Sequence, residues 1–109
     1  MAKFLLTASY TAAGAKGVLS EGGTARQKVV ERLVKSAGGK VEGMYWAFGP
    51  HDFYLIADLP DNAAAAALSM TVSATGAVTT STTVLLTAAD LDAAAKVDAQ
   101  YRAPVTKNK

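Results

Sequence analysis

The order of strand-like and helix-like segments is the feature that most restricts the fold of this chain. Four segments are rich in β-branched and apolar residues, as strands are: 3–10, 41–48, 53–59 and 77–86. Two segments have the composition of helices, each followed by glycine: 24–37 and 63–75. Strand, helix, strand, strand, helix, strand is the order of the split βαβ arrangement, in which four antiparallel strands carry two helices on one face.

The second and third strands predict that the other face of the sheet is covered as well. Apolar or aromatic residues occupy successive positions in Met44-Tyr45-Trp46 and in Phe53-Tyr54-Leu55-Ile56, whereas a strand with one wet face alternates with polar residues. A second copy of the chain is the simplest cover. The sequence therefore predicts an α+β, ferredoxin-like βαββαβ domain that forms a homodimer or a higher oligomer.

Two further segments complete the predicted organisation. The connection over 11–24 carries several glycines and is long enough to hold a short helical turn around 15–19, and loops of this length are often functional. An extra short C-terminal helix is predicted from Thr87, in which Leu91, Ala94, Ala95 and Val97 could pack. We therefore expect one domain over 1–101 and a flexible tail over 102–109.

Composition excludes several classes of function. The chain of 109 residues is 50% hydrophobic, carries a net charge of +2 and has no cysteine. Its basic residues are spread out and are not interleaved with stacking aromatics, so nucleic-acid binding is not expected. Apolar runs are too short for a membrane span, and the lack of cysteine fits a reducing compartment. The sequence predicts a soluble protein of the cytoplasm.

A set of short motifs resembles one known family. The stretch Ala47-Phe48-Gly49-Pro50-His51-Asp52-Phe53-Tyr54 resembles the turn that names the GYD domain family. Other pieces match in order and spacing along nearly the whole chain: Tyr10-Thr11, Gly14, Gly17, Arg26, Gly38-Gly39, Pro60-Asp61-Asn62, Gly76-Ala77-Val78 and Leu86-Thr87. The resemblance implies a dimeric α+β barrel of ferredoxin-like subunits and no established activity.

The naming motif is imperfect in this chain. Its glycine and aspartate correspond to Gly49 and Asp52, while His51 stands where the family has tyrosine. Similar dimeric barrels include small monooxygenases, haem-degrading enzymes and amino-acid-sensing regulatory domains. The fold resemblance alone therefore does not select a function.

The candidate catalytic residues are His51, Asp52 and Tyr45. His51 is the single histidine, and the carboxylate beside it in sequence could orient it for acid–base work. Both are also ordinary turn residues. No nucleophile-elbow pattern surrounds any serine, no spacing of ligands predicts a metal site, and no cofactor fingerprint is present.

The candidate ligand-binding residues are Tyr10, Arg26 and Trp46. Arg26 follows the glycine-rich connection and could hold an anion at the start of a helix, while the aromatic residues could line an apolar pocket. Tyr45 and Trp46 point to opposite faces of a strand, so at most one faces a given cavity. Turn formation, solvated charge and core packing explain the same residues without a ligand.

Three functions are compatible with these observations. The first is an oligomeric domain that binds a small apolar or anionic molecule. The second is a cofactor-independent monooxygenase or isomerase of the dimeric-barrel type, with His51, Asp52 and tyrosines as acid–base groups. The third is an assembly subunit, suggested by the alanine-rich helices. Whether the chain is an enzyme is left open by its sequence.

Overall fold

A computed structural model describes residues 1–106 and confirms the α+β class. Its strands are β1 (Ala2–Tyr10), β2 (Lys40–Trp46), β3 (Phe53–Leu59) and β4 (Val78–Leu85). Its helices are α1 (Ala12–Glu21), α2 (Gly23–Ser36), α3 (Asn62–Ser73) and α4 (Ala88–Ala95). The strands form one sheet in the order β2-β3-β1-β4, and every neighbouring pair is antiparallel. This is the strand order of the ferredoxin-like fold.

The core lies between the sheet and the helices. Alternate residues of β3 are buried, from Phe53 to Leu59, and the residues between them are half-buried. Phe4 of β1, Leu59 of β3 and Val34 of α2 are the largest side chains that are fully buried. Period-two alternation in the strands and the buried residues of α2 and α3 produce this single core.

Side-chain caps begin α3 and α4, and glycines follow the ends of α2 and α3, as the sequence predicts. The Asp61 carboxylate accepts a hydrogen bond from the backbone N–H of Ala64 at the start of α3. Thr87 and Asp90 cap the start of α4 reciprocally. Gly38 and Gly76 have positive φ angles of 83° and 76° just beyond α2 and α3, a conformation that glycine adopts without steric cost.

The prediction of a loop over 11–24 was wrong, because this stretch forms the ten-residue helix α1 and the first residues of α2. The Thr11 side chain caps α1 by accepting from the Gly14 N–H. Gly14 also allows close packing, since a Cβ atom there would lie 1.9 Å from the carbonyl oxygen of Ala77. Gly22, with a φ angle of 83°, separates the two helices, so α2 begins one residue before the predicted cap.

The C-terminal part does not pack on the rest of the chain. Every described residue from Leu86 onwards is exposed, including Leu91, Ala94, Ala95 and Val97 of the short helix that we expected to pack. Residues 96–106 form no helix or strand, and the remainder of the expected tail lies outside the described residues. Across the described chain, no helix combines the length and apolar character that a membrane crossing requires.

Candidate functional site

A cavity of about 480 Å³ lies between the sheet and parts of α1, α2 and α3. The sheet supplies its floor through Leu6, Phe53 and Leu55, which are buried core residues. Its walls are mainly apolar side chains of the helices: Val18, Val29, Val30, Leu33, Leu68 and Val72. Pockets that bind small molecules commonly have volumes of roughly 300–1,000 Å³ and mostly apolar linings, so this cavity falls in that class.

The roof of the cavity is held loosely. Gly14 is the one buried residue of α1, and Val34 is the one buried residue of α2. The N-terminal end of α1 is fixed by hydrogen bonds from Thr11 to the carbonyl oxygens of Gly76 and Ala77. Beyond Gly14, α1 lies over the cavity with few buried contacts. Native cores are close-packed, so a space of this size under two helices requires an explanation.

Two aromatic side chains provide a polar group on the cavity wall. The Nε1–H of Trp46 donates a hydrogen bond to the phenol oxygen of Tyr10 at 2.9 Å, and both residues line the cavity. A phenol that accepts one hydrogen bond still carries its own O–H donor. Among the described residues, the bond from Trp46 is the one hydrogen bond of this phenol oxygen, so its O–H is available to an acceptor atom of a bound molecule.

Charged groups lie at the junction of α1 and α2. The guanidinium of Arg26 is 3.6 Å from a carboxylate oxygen of Glu21, and both residues contribute to the cavity lining. Their side chains are about one third and one half exposed, respectively. A pair so exposed contributes little stability. The pair can therefore open at small cost, which leaves either charge free to meet a polar group of a bound molecule.

The residues considered for acid–base catalysis lie away from this cavity. The Asp52 carboxylate accepts a hydrogen bond from the backbone N–H of Tyr10 at 2.8 Å, which joins the β2–β3 turn to the end of β1. The His51 ring packs edge-on against Tyr54, with ring centroids 5.9 Å apart. Tyr45 is exposed on the opposite face of β2 from Trp46. Asp52 contacts only a second, smaller depression of about 260 Å³ beside Tyr10 and Trp46.

One lysine has a shifted pKa, and it too lies outside the cavity. Hydrogen bonds from Lys3 to Glu42 and to Asp58 raise the pKa of its ammonium group above the usual 10.5. These three residues lie on the face of the sheet that carries no helix. Within residues 1–106, no three His, Asp or Glu side chains cluster as a metal site would require.

The structure brings together the three residues proposed from sequence as ligand-binding: Tyr10, Arg26 and Trp46 all line the large cavity. It separates them from His51 and Tyr45. The apolar wall residues on α1 and α2, such as Val18 and Val30, were missed as site residues. Val30 belongs to a helix that the sequence predicted, but nothing in its residue type indicated a cavity, and Val18 lies in a segment that was interpreted as a loop.

In a comparison with protein-family models, the model of the GYD domain matches residues 4–95 of the chain. The chain belongs to the GYD family. Comparison with curated proteins and with solved structures gives no match. The GYD family is of unknown function, so an activity for this member has to be argued from its own residues.

In this GYD domain, hydrogen bonds attach the naming turn to strand β1. The backbone N–H of Asp52 donates to the carbonyl oxygen of Ala8, and its carbonyl accepts from the N–H of Ala47. Together with the bond from its carboxylate to Tyr10, these contacts attach the turn to the strand that carries the cavity phenol. The aspartate of the motif thus fixes the backbone of Tyr10.

Proposed function

We propose that this GYD domain binds a small, mainly apolar molecule in the cavity between its sheet and helices α1 to α3, and that it does so as a homodimer. The observation that carries the proposal is the apolar cavity of about 480 Å³ with an unused phenol donor on its wall. A bound apolar molecule would remove the lining from water, which is favourable by about 25 cal/mol per Å² of apolar surface.

The polar groups restrict the chemistry of the bound molecule. Tyr10 offers one hydrogen-bond donor in the apolar wall, which fits a carbonyl, ether or hydroxyl oxygen. Arg26 and Glu21 at the rim fit a polar or charged end, because each can exchange its partner for a group of the ligand. The molecule proposed is therefore amphipathic, with an apolar body of the size of one or two rings or a short chain.

The open face of the sheet supports the homodimer. This face combines the apolar residues Leu5, Tyr54 and Ile56 with hydroxyl side chains of β1 and β4 and with the ion pairs of Lys3 near one end. In the described chain, α1 to α3 pack on the opposite face, against Phe4, Leu6 and Phe53. A half-apolar sheet face is suited to pairing with an identical face through a two-fold axis.

Fewer observations support the acid–base alternative, in which the chain is a cofactor-independent monooxygenase or isomerase. His51, Asp52 and Tyr45 do not line the large cavity. The Asp52 carboxylate is already engaged with the backbone of Tyr10.

Binding is tested through Trp46, which is the single tryptophan of the chain and lines the cavity. Anilinonaphthalene sulfonate, an apolar probe with an anionic end, should change the Trp46 fluorescence in a saturable way. In the double variant Val30→Phe/Val72→Phe, two added rings occupy cavity space, and binding should weaken by about tenfold or more, equivalent to ~1.4 kcal/mol. Equal binding by this variant would contradict the proposal.

Met70→Phe is the matched control, because it adds a ring to the exposed side of α3. It should bind the probe as the wild type does, and circular dichroism should show all three proteins to be folded. The homodimer is tested separately by Ile56→Glu, which places a charge in the open face. Sedimentation should then report a weaker self-association than that of the wild type, while Met70→Glu should leave the self-association unchanged. A wild-type monomer would contradict the homodimer but not the binding proposal.

A further inference from the structure

The segment 86–106, here called the C-terminal arm, extends from the body of the molecule without a partner. Its five large apolar side chains are each more than half exposed: Leu86, Leu91, Val97, Tyr101 and Val105. Its hydrogen bonds connect residues of the arm to one another. The radius of gyration is 18.3 Å, compared with roughly 13 Å for a compact chain of about 100 residues.

The helix within the arm is too short to be stable alone. Helices of fewer than about 12–15 residues are marginal in water even with good sequences, and α4 has eight residues. The capping box of Thr87 and Asp90 contributes only about 1 kcal/mol. A surface that covers Leu91 and its helical neighbours is therefore needed to hold α4 in its helical form.

Charge indicates which surface provides that cover. Helix α4 contains two carboxylates, Asp90 and Asp92, and no cation. Helix α2 contains four cations and one anion, a net charge of +3. Three of its cations share one face at helical spacing: Lys28, Arg32 and Lys35. All three side chains are exposed, and the partly exposed Val29 lies beside them.

The arm starts at the edge of the sheet opposite to the one that carries helix α2 of its own chain. Helix α2 packs on β2 and α3 packs on β4, while β2 and β4 are the opposite edges of the sheet. Three strand spacings separate those edges, roughly 14 Å, and α3 lies between them. The link from β4 to α4 is Leu86-Thr87, and two residues span at most ~7 Å.

We infer that the C-terminal arm docks on a second copy of this chain, with α4 lying along the basic face of the partner's helix α2. The contact buries Leu91 against the apolar part of that face and sets Asp92 among its cations. Reciprocal exchange between two copies closes a dimer, and one-way exchange continues into a larger assembly. The inference goes beyond ligand binding and does not depend on it.

Because the chain has no cysteine, each introduced cysteine is the single thiol of its variant and can be cross-linked specifically. Full-length Ala95→Cys places a thiol on α4, Ser36→Cys places one on α2, and Ala67→Cys places one on the exposed side of α3 as a control. One protein of each mixture is labelled with ¹⁵N, so that mass spectrometry distinguishes mixed from homogeneous products. With a short bismaleimide, Ala95→Cys should couple to Ser36→Cys about tenfold faster than to Ala67→Cys, a difference of ~1.4 kcal/mol.

A charge exchange identifies the surface further. Asp92→Lys in the arm chain should reduce coupling, and Arg32→Glu in the acceptor chain should restore it. Equal coupling to Ser36→Cys and Ala67→Cys, or a charge reversal without effect, would overturn the inference. A loss of probe binding in the cavity would leave it standing, so its failure is distinguishable from that of the proposed function.

Discussion

The indole nitrogen of Trp46 donates a hydrogen bond to the phenol oxygen of Tyr10 at 2.9 Å. These residues end β2 and β1, which are separated by β3, so the bond spans the first residues of β3. Below it, the ring of Phe53 on β3 packs against Trp46 with centroids 5.1 Å apart. The bond thus fixes one wall of the cavity and orients the phenol O–H.

The first prediction concerns this hydrogen bond. Tyr10→Phe leaves the half-buried indole N–H of Trp46 without its partner, which should lower the free energy of unfolding by about 1 kcal/mol. Urea denaturation followed by circular dichroism measures the change. In the background Trp46→Phe, the same Tyr10→Phe substitution should cost less, because no donor is left unpaired. Equal costs in both backgrounds would show that the bond contributes nothing.

The second prediction concerns the aspartate of the GYD turn. Asp52→Ala removes the acceptor for the backbone N–H of Tyr10, and an unpaired, partly buried N–H should destabilise the fold by about 1–3 kcal/mol. Asp52→Asn retains a side-chain oxygen at that place and should cost less. Thermal unfolding of both variants measures the difference. If the alanine and asparagine variants were equally stable, the carboxylate would have no such role.

The third prediction uses two glycines of the same helix. Gly17→Ala should stabilise the protein by about 0.5–1 kcal/mol, because alanine is the better helix former and a Cβ there meets no atom within 4 Å. Gly14→Ala should destabilise it, because its Cβ would lie 1.9 Å from the carbonyl oxygen of Ala77. Denaturant titration reports both changes. Changes of the same sign would contradict the described position of α1.

The fourth prediction concerns pH. Hydrogen bonds to Glu42 and Asp58 raise the pKa of Lys3 above 10.5, so its charged form is favoured in the folded chain. The stabilisation is complete below pH 10.5 and is lost as the pH rises through the raised value. The stability difference between wild type and Lys3→Gln should therefore be constant near neutrality and shrink at alkaline pH. A difference independent of pH up to alkaline unfolding would exclude this pairing.

The sequence predicted the sheet because its signals are local. Runs of apolar and β-branched residues mark the strands, and the turn residues around Pro60 and Gly76 mark strand and helix ends, without reference to the rest of the chain. Helix α1 was missed for the opposite reason. Gly14 and Gly17 lower helix propensity, and the close approach of Gly14 to Ala77, 63 positions later in sequence, becomes visible only in three dimensions.

The candidate site was predictable in part. Tyr10, Arg26 and Trp46 were proposed as ligand-binding from their residue types, and they do line one cavity. The cavity itself was not predictable, because the pattern of apolar residues on α2 is the same whether the helix packs tightly or leaves a space. Whether these residues bind a ligand stays a prediction.

Native mass spectrometry of the protein purified from its own host tests the binding claim most directly. The account predicts that the wild type carries an additional small mass, that Met70→Phe carries the same mass, and that Val30→Phe/Val72→Phe carries none. The retained molecule would then be identified by fragmentation. A wild type that shows only the mass of its polypeptide after incubation with a small-molecule extract of the host would contradict the account, as would an equal load on the variant with the filled cavity.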